Sequence, residues 1–293
     1  MQAIAAWLVA RPLNAVLALA ATISLAYLSF LSGVVLVLLV LQKGPRRAVV
    51  DVVFAAGLLG VVGLVAQVPL ATVIVGALSM WLPAMVLGVL LTTTRSLTLT
   101  VQLSVVIAVA AMIGFYLVVD DPLAFWRSVL EMIIDVWREV GLTEQAALLD
   151  AQIDAVAAQM TMVAVLTSWA IHTINCVFGY LLYRALPGET AELGQFRDLT
   201  LGRVIAITMA LASIVAVLSG AIWLQNIAFV MFLVFWLQGL AIVHWLYSEG
   251  RLPVFGVVAV YVLMPFLNVI LLMGLAILGY VDTWFRMRRA RAA

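Results

Sequence analysis

The chain of 293 residues is 67% hydrophobic and 10% charged. A soluble domain carries about 25% charged residues, so a surface wetted on all sides is excluded. A formal net charge of +1 excludes a bulk basic field for nucleic acid, and the single cysteine, Cys176, excludes an intramolecular disulfide and a cysteine-rich metal site.

The first apolar run, Pro12 to Gln42, would extend about 45 Å as one helix, against a hydrocarbon core of about 30 Å. Its Ala18-Leu19-Ala20 has the form of a cleavage triplet, yet the run continues to Leu41, beyond signal-peptide length, so no cleavable leader is expected. Ser29, Ser32 and Gly33 interrupt the run. They predict either a hairpin of two short helices or one long helix, tilted or kinked. Clear spans follow at 49–67, 70–91, 98–119, 160–184, 204–222 and 226–247, each close to the ~20 residues that cross the core. Glycines 57, 60 and 63 read as a helix-packing surface. A last run, 253–282, is again too long for one upright helix and carries Pro265 near its middle. Barrel strands would alternate over about ten residues, whereas stretches such as Val52–Ala66 are continuously apolar. The predicted fold class is therefore all-α, a polytopic transmembrane bundle of about eight to ten helices with an external amphipathic helical loop.

Sidedness follows from the arginines and lysines. Lys43, Arg46 and Arg47 form one basic loop, and Arg95 lies two spans later. Arg184, Arg197 and Arg203 flank a third loop, and Arg286, Arg288, Arg289 and Arg291 crowd the C-terminus. Basic loops face the cytoplasm, which makes the segment 120–159 external. That segment holds eight acids and two bases, net −6. Within it, Asp121-Pro122 reads as an N-cap with proline at the first helical position. Trp126, Leu130, Ile133, Trp137 and Val140 then recur at helical spacing before Gly141. Arg127/Glu131 and Asp135/Arg138 are spaced for ion pairs on the opposite face. A second helix is expected to start at Thr143 and feed the span that begins near Gln159. The apolar face lies on the membrane or caps the mouth of the bundle.

Polar side chains at membrane depth are costly and attract functional hypotheses. His172 and Asn175 lie three apart on one span, Gln238 and His244 share another, and Asn268 follows Pro265. These five residues are the candidate ligand-binding set; the alternative is that they only tie helices together. No HExxH, Ser-His-Asp framework, P-loop or dinucleotide fingerprint occurs. No enzymatic activity, catalytic residue, metal or cofactor is therefore expected.

The loop Gln42-Lys43-Gly44-Pro45-Arg46-Arg47-Ala48, between a short hairpin and an Ala/Gly-rich span, is similar to the turn after the second helix in substrate-binding (S) components of energy-coupling-factor transporters. More closely, the chain resembles the YybS-like family of bacterial multi-pass membrane proteins, which has an S-component-like fold. Most of the likeness lies in Phe196-Arg197-Asp198, Leu201-Gly202-Arg203, Gln238-Gly239-Leu240-Ala241 with His244, and Gly279 with Asp282-Thr283-Trp284. The resemblance implies an S-component-like core over 1–185, including the 120–159 loop. A cytoplasmic loop at 186–203 and C-terminal membrane helices with a basic tail at 204–293 would follow. It also implies docking on a transporter scaffold with ATPase subunits through small-residue faces such as Ala6/Ala10 and Ala20/Ser24. The expected function is binding of a small solute between transmembrane helices, in a bacterial inner membrane, with partner subunits supplying energy. The alternative is a non-transporting scaffold that recruits proteins through the loops at 43–47 and 185–203.

Overall fold

The computed structural model describes residues 1–25, 28–189 and 192–288, apart from the side chain of Asn268. Arg289 and Arg291 of the expected basic tail, and the Asn268 side chain proposed as a ligand, lie outside the described residues. Among the described residues the regular structure is helical. The helices are α1 Gln2–Ala10, α2 Pro12–Ser24, α3 Phe30–Lys43, α4 Pro45–Val65, α5 Leu70–Thr94, α6 Leu97–Val118, α7 Pro122–Glu139, α8 Thr143–Asp150, α9 Ile153–Arg184, α10 Gly202–Ser219, α11 Ile222–Leu233, α12 Phe235–Ser248, α13 Val254–Leu263 and α14 Asn268–Phe285.

Among the described residues six spans are long and apolar enough to cross a membrane, α4, α5, α6, α9, α10 and the pair α11–α12, and the pair α1–α2, bent by 112°, is a seventh if it counts as one span. The six coincide with the six clear runs read from hydropathy. The first overlong run holds two helices, α2 ending at Ser24 and α3 starting at Phe30, packed against each other. The second divides at Met264–Leu267, around Pro265, into α13 and α14. Prolines at the first helical position start α2, α4 and α7, where the missing N–H has no acceptor to lose.

The residues form two compact units, Met1–Ser104 with Trp169–Phe196, and Val105–Ser168 with the chain from Arg197 onward. In the first, α3 is the central helix. Val34 to Val40 are all buried, as expected of a helix that is apolar all round. α2, α4 and α5 pack on it, and Gly179 of α9 admits Val37 so closely that a Cβ there would collide with it. Ser32 locks the α2–α3 pair: its hydroxyl donates to the Leu19 carbonyl at 3.0 Å and accepts from Trp81 Nε1 at 2.7 Å. Asp51, buried in α4, is paired with Lys43 at 2.9 Å. Of the three glycines expected to form a packing surface, a Cβ on Gly63 would lie 2.8 Å from Val73, one on Gly60 would only touch Leu70, and one on Gly57 would meet open space. Gly57 is thus not part of that surface.

In the second unit α11–α12 is the central span. It is 83% buried, against 39% or less for each of the other five, whose remaining apolar faces are left for lipid. α14 crosses α12 at Gly239 and Gly279, where a Cβ on either would collide with the backbone of the other helix. The helical loop forms as α7 and α8, with Asp121 accepting from the Ala124 N–H at 2.9 Å as N-cap. Three details differ from the sequence reading. The buried positions of α7 are Leu130 and Ile134, while Ile133 is 36% exposed; a step of about 3.6 residues from 130 falls between 133 and 134, and packing selects 134. Arg127 pairs with Asp154 rather than Glu131, because the start of α9 brings a carboxylate to it. α8 stops at Asp150, and a turn separates it from α9.

Candidate functional site: two cavities and a buried polar cluster

The larger cavity, about 940 Å³, lies wholly in the second unit. The end of α6, the first turns of α7 and α9, and the turn Gly220–Ile222 enclose it. Aromatic rings of Tyr116, Trp126 and Trp223 form much of the wall, with Asp121, Asp154 and Thr161 as its polar groups. Two of the three rings are held by hydrogen bonds. Trp126 Nε1 donates to Thr161 Oγ1 at 2.7 Å, and the Trp126 ring stacks with Phe115 and Phe125. Asn226 donates through Nδ2 to the Tyr116 hydroxyl at 2.9 Å and to the Ala158 carbonyl at 2.8 Å, so one amide ties α11 to α6 and α9. Asp154 hydrogen-bonds Arg127 and its charge further favours the cation, holding that guanidinium above its usual pKa.

A second set of polar groups surrounds Gln238, which is fully buried. Its Oε1 accepts from the Leu201 N–H at 2.7 Å, and its Nε2 donates to Asp282 Oδ2 at 2.9 Å and Thr283 Oγ1 at 3.2 Å. Arg288 pairs with the same Asp282 oxygen at 2.8 Å and donates to the carbonyls of Arg197 and Leu199 at 2.7 and 2.9 Å. The loop before α10 is therefore fastened by two side chains distant in sequence, Gln238 of α12 and Arg288 just after α14. Beside this cluster is a smaller cavity of about 370 Å³.

Four of the five predicted site residues have described side chains, two in each unit. Gln238 has both amide ends engaged in the cluster. His244, six residues along α12, hydrogen-bonds Tyr261 of α13 at 2.8 Å. Neither lines the large cavity. His172 and Asn175 lie on α9 in the first unit, buried, with His172 Nδ1 and Asn175 Oδ1 unpartnered. Asn175 Nδ2 contacts Met80 Sδ at 3.6 Å. Sequence reasoning missed Asp282 as a buried carboxylate. Its available signal was an acid at the end of an apolar run with an arginine six residues later, which invites a search for a partner. It also missed Tyr116, Trp126 and Trp223 as a wall, because aromatics near span ends read as an interfacial belt.

Six helical spans among the described residues, each long and apolar enough to cross a membrane, define a multi-pass helical membrane protein. The chain belongs to the family described as Predicted membrane protein (DUF2232), whose model matches residues 13–283. No curated protein and no solved structure matches it.

Proposed function

We propose that the protein is the solute-recognising component of a transport system, and that its solute is a small organic cation with an apolar body, bound in the cavity under α7. The carrying observation is the cavity itself. Its roughly 940 Å³ lies within the ~300–1,000 Å³ of ligand pockets, and three aromatic rings and two carboxylates stand on its wall. Aromatic faces attract cations, and the net −6 of the 120–159 segment concentrates them. In this reading α7 faces outward and the basic loops face the cytoplasm of a bacterial cell, with partner subunits energising transport as in the S-component-like arrangement. No chemical step on the solute is part of it.

The test is binding of benzyltrimethylammonium to the full chain in nanodiscs, with benzylsulfonate as an anion of similar body. The cation alone should raise the unfolding temperature. Trp223→Ala should abolish the shift, and Asp121→Asn, which retains an N-cap, should weaken it. Equal binding of both ions, or a shift indifferent to both substitutions, contradicts the proposal.

A second reading has one observation in its favour. His172 Nδ1 and Asn175 Oδ1, three residues apart on α9, are both buried without partners, and buried polar atoms rarely stay unpaired. A solute donor or acceptor reaching them would place a site in the first unit. His172→Ala and Asn175→Ala would then remove binding that Trp223→Ala leaves intact.

A further inference from the structure

The smaller cavity of the second unit is lined by Arg203, Arg286 and Arg288, by Asp198 and Asp282, and by Trp245 and the start of α10 at Gly202. Arg288 is committed to Asp282 and to two carbonyls. Arg203 and Arg286 have no ion pair among the described residues, and both residues are exposed. Three arginines against two aspartates leave the lining at a formal +1. The first turn of α10 adds backbone N–H groups that no N-cap side chain satisfies, at the positive end of an 18-residue helix.

A separate observation concerns Asp282, 4% exposed. Every hydrogen bond it receives goes to Oδ2, from Gln238 and Arg288. Oδ1 is buried without a partner on a residue of the cavity wall. A carboxylate oxygen in that state calls for a donor. The wall thus offers two guanidinium forks without ion pairs among the described residues and a helix N-terminus for negative oxygens, and Asp282, a residue of that wall, carries an acceptor that lacks a donor.

From this combination we propose that the cavity binds a phosphate group carrying one proton. Its anionic oxygens are held by Arg203, Arg286 and the α10 amides, and its P–OH donates to Asp282 Oδ1. Bidentate arginine recognition suits phosphate geometry. A doubly charged sulfate, which has no proton to give, is the poorer ligand. The group belongs either to a free phosphorylated solute or to a lipid headgroup, since both present the same chemistry.

The experiment uses the full chain in phosphate-free dodecyl maltoside. Unfolding temperatures are measured against inorganic phosphate, against dihexanoyl phosphatidic acid, and against sulfate and chloride at matched ionic strength. The proposal expects a saturable stabilisation by at least one phosphate ligand, with a smaller effect of sulfate. In the double variant Arg203→Gln/Arg286→Gln, which alters exposed side chains, the affinity should fall about tenfold or more, as expected on losing charge-assisted hydrogen bonds. Stabilisation by inorganic phosphate identifies a free solute as sufficient; stabilisation by phosphatidic acid alone identifies a headgroup. Absence of a shift with both ligands, sulfate equal to phosphate, or a shift unchanged in the double variant overturns the proposal. The readout does not depend on cation binding under α7, so the two proposals stand or fall separately.

Discussion

At the scale of single residues, the second unit is organised by Asp282. Its charge is removed from water and offset by one arginine, with Gln238 as an added donor. Breaking such a pair from one side leaves an uncompensated buried charge, at a cost of about 3–5 kcal/mol, whereas removing both partners costs less. Asp282→Ala should therefore lower the thermal midpoint more than Asp282→Ala/Arg288→Ala does. A double variant at least as unstable as the single one would contradict the account. Gln238→Leu strands the Leu201 N–H, which costs about 1–3 kcal/mol, above the ~0.6 kcal/mol mean of an interhelical hydrogen bond in a bilayer. A midpoint close to wild type would mean that the amide does not hold the loop. Gln238 was legible in the sequence as a polar residue in mid-span. Its partners were not. Asp282 and Arg288 look interfacial in one dimension. They meet because α14 ends at Phe285 and Arg286 takes a left-handed conformation, φ 49°, turning the chain back toward the loop at 197–201.

At the scale of elements, α7 shows what periodicity resolves. The N-cap, the proline start, the stop near Gly141 and the amphipathic stripe were all readable; the choice of Ile134 over Ile133 depended on packing. Trp126 is held by a hydrogen bond and by ring contacts, while Arg127 makes an exposed ion pair of a kind that contributes little. Trp126→Asp should accordingly expose the loop to limited proteolysis, and Arg127→Ala should change the digestion rate hardly at all. Similar digestion of the two variants would speak against this placement of α7. Glycines separate in the same way. Gly239→Ala drives a methyl into the Leu275 backbone and Gly57→Ala enters open space, although the sequence context of Gly57 is the more suggestive of packing. Size-exclusion profiles of the purified variants should show Gly239→Ala aggregated or absent and Gly57→Ala monodisperse. Monodisperse, wild-type-like Gly239→Ala would contradict the close crossing of α12 and α14.

At the scale of the whole molecule, hydropathy was sufficient for the six spans because crossing a bilayer imposes a length that a sequence displays. For the two overlong runs it left a hairpin and a single tilted or kinked helix both open, with Ser29 and Pro265 as local interruptions. Pairings such as Gln238 with Asp282, or Asn226 with Tyr116, join residues far apart in sequence and have no local signature. The candidate cavity escaped sequence reasoning for the same reason: its wall is assembled from four separate stretches of chain. The functional account then depends on one property of the molecule, that α7 and the cavity beneath it open to the outside while the basic loops face inward. Single cysteines placed in a Cys176→Ser background measure this directly, with an impermeant maleimide applied to intact bacterial cells. The account predicts labelling at Glu144→Cys in intact cells and at Arg46→Cys only after permeabilisation. Labelling of Glu144→Cys only after permeabilisation, with Arg46→Cys reacting in intact cells, would contradict it.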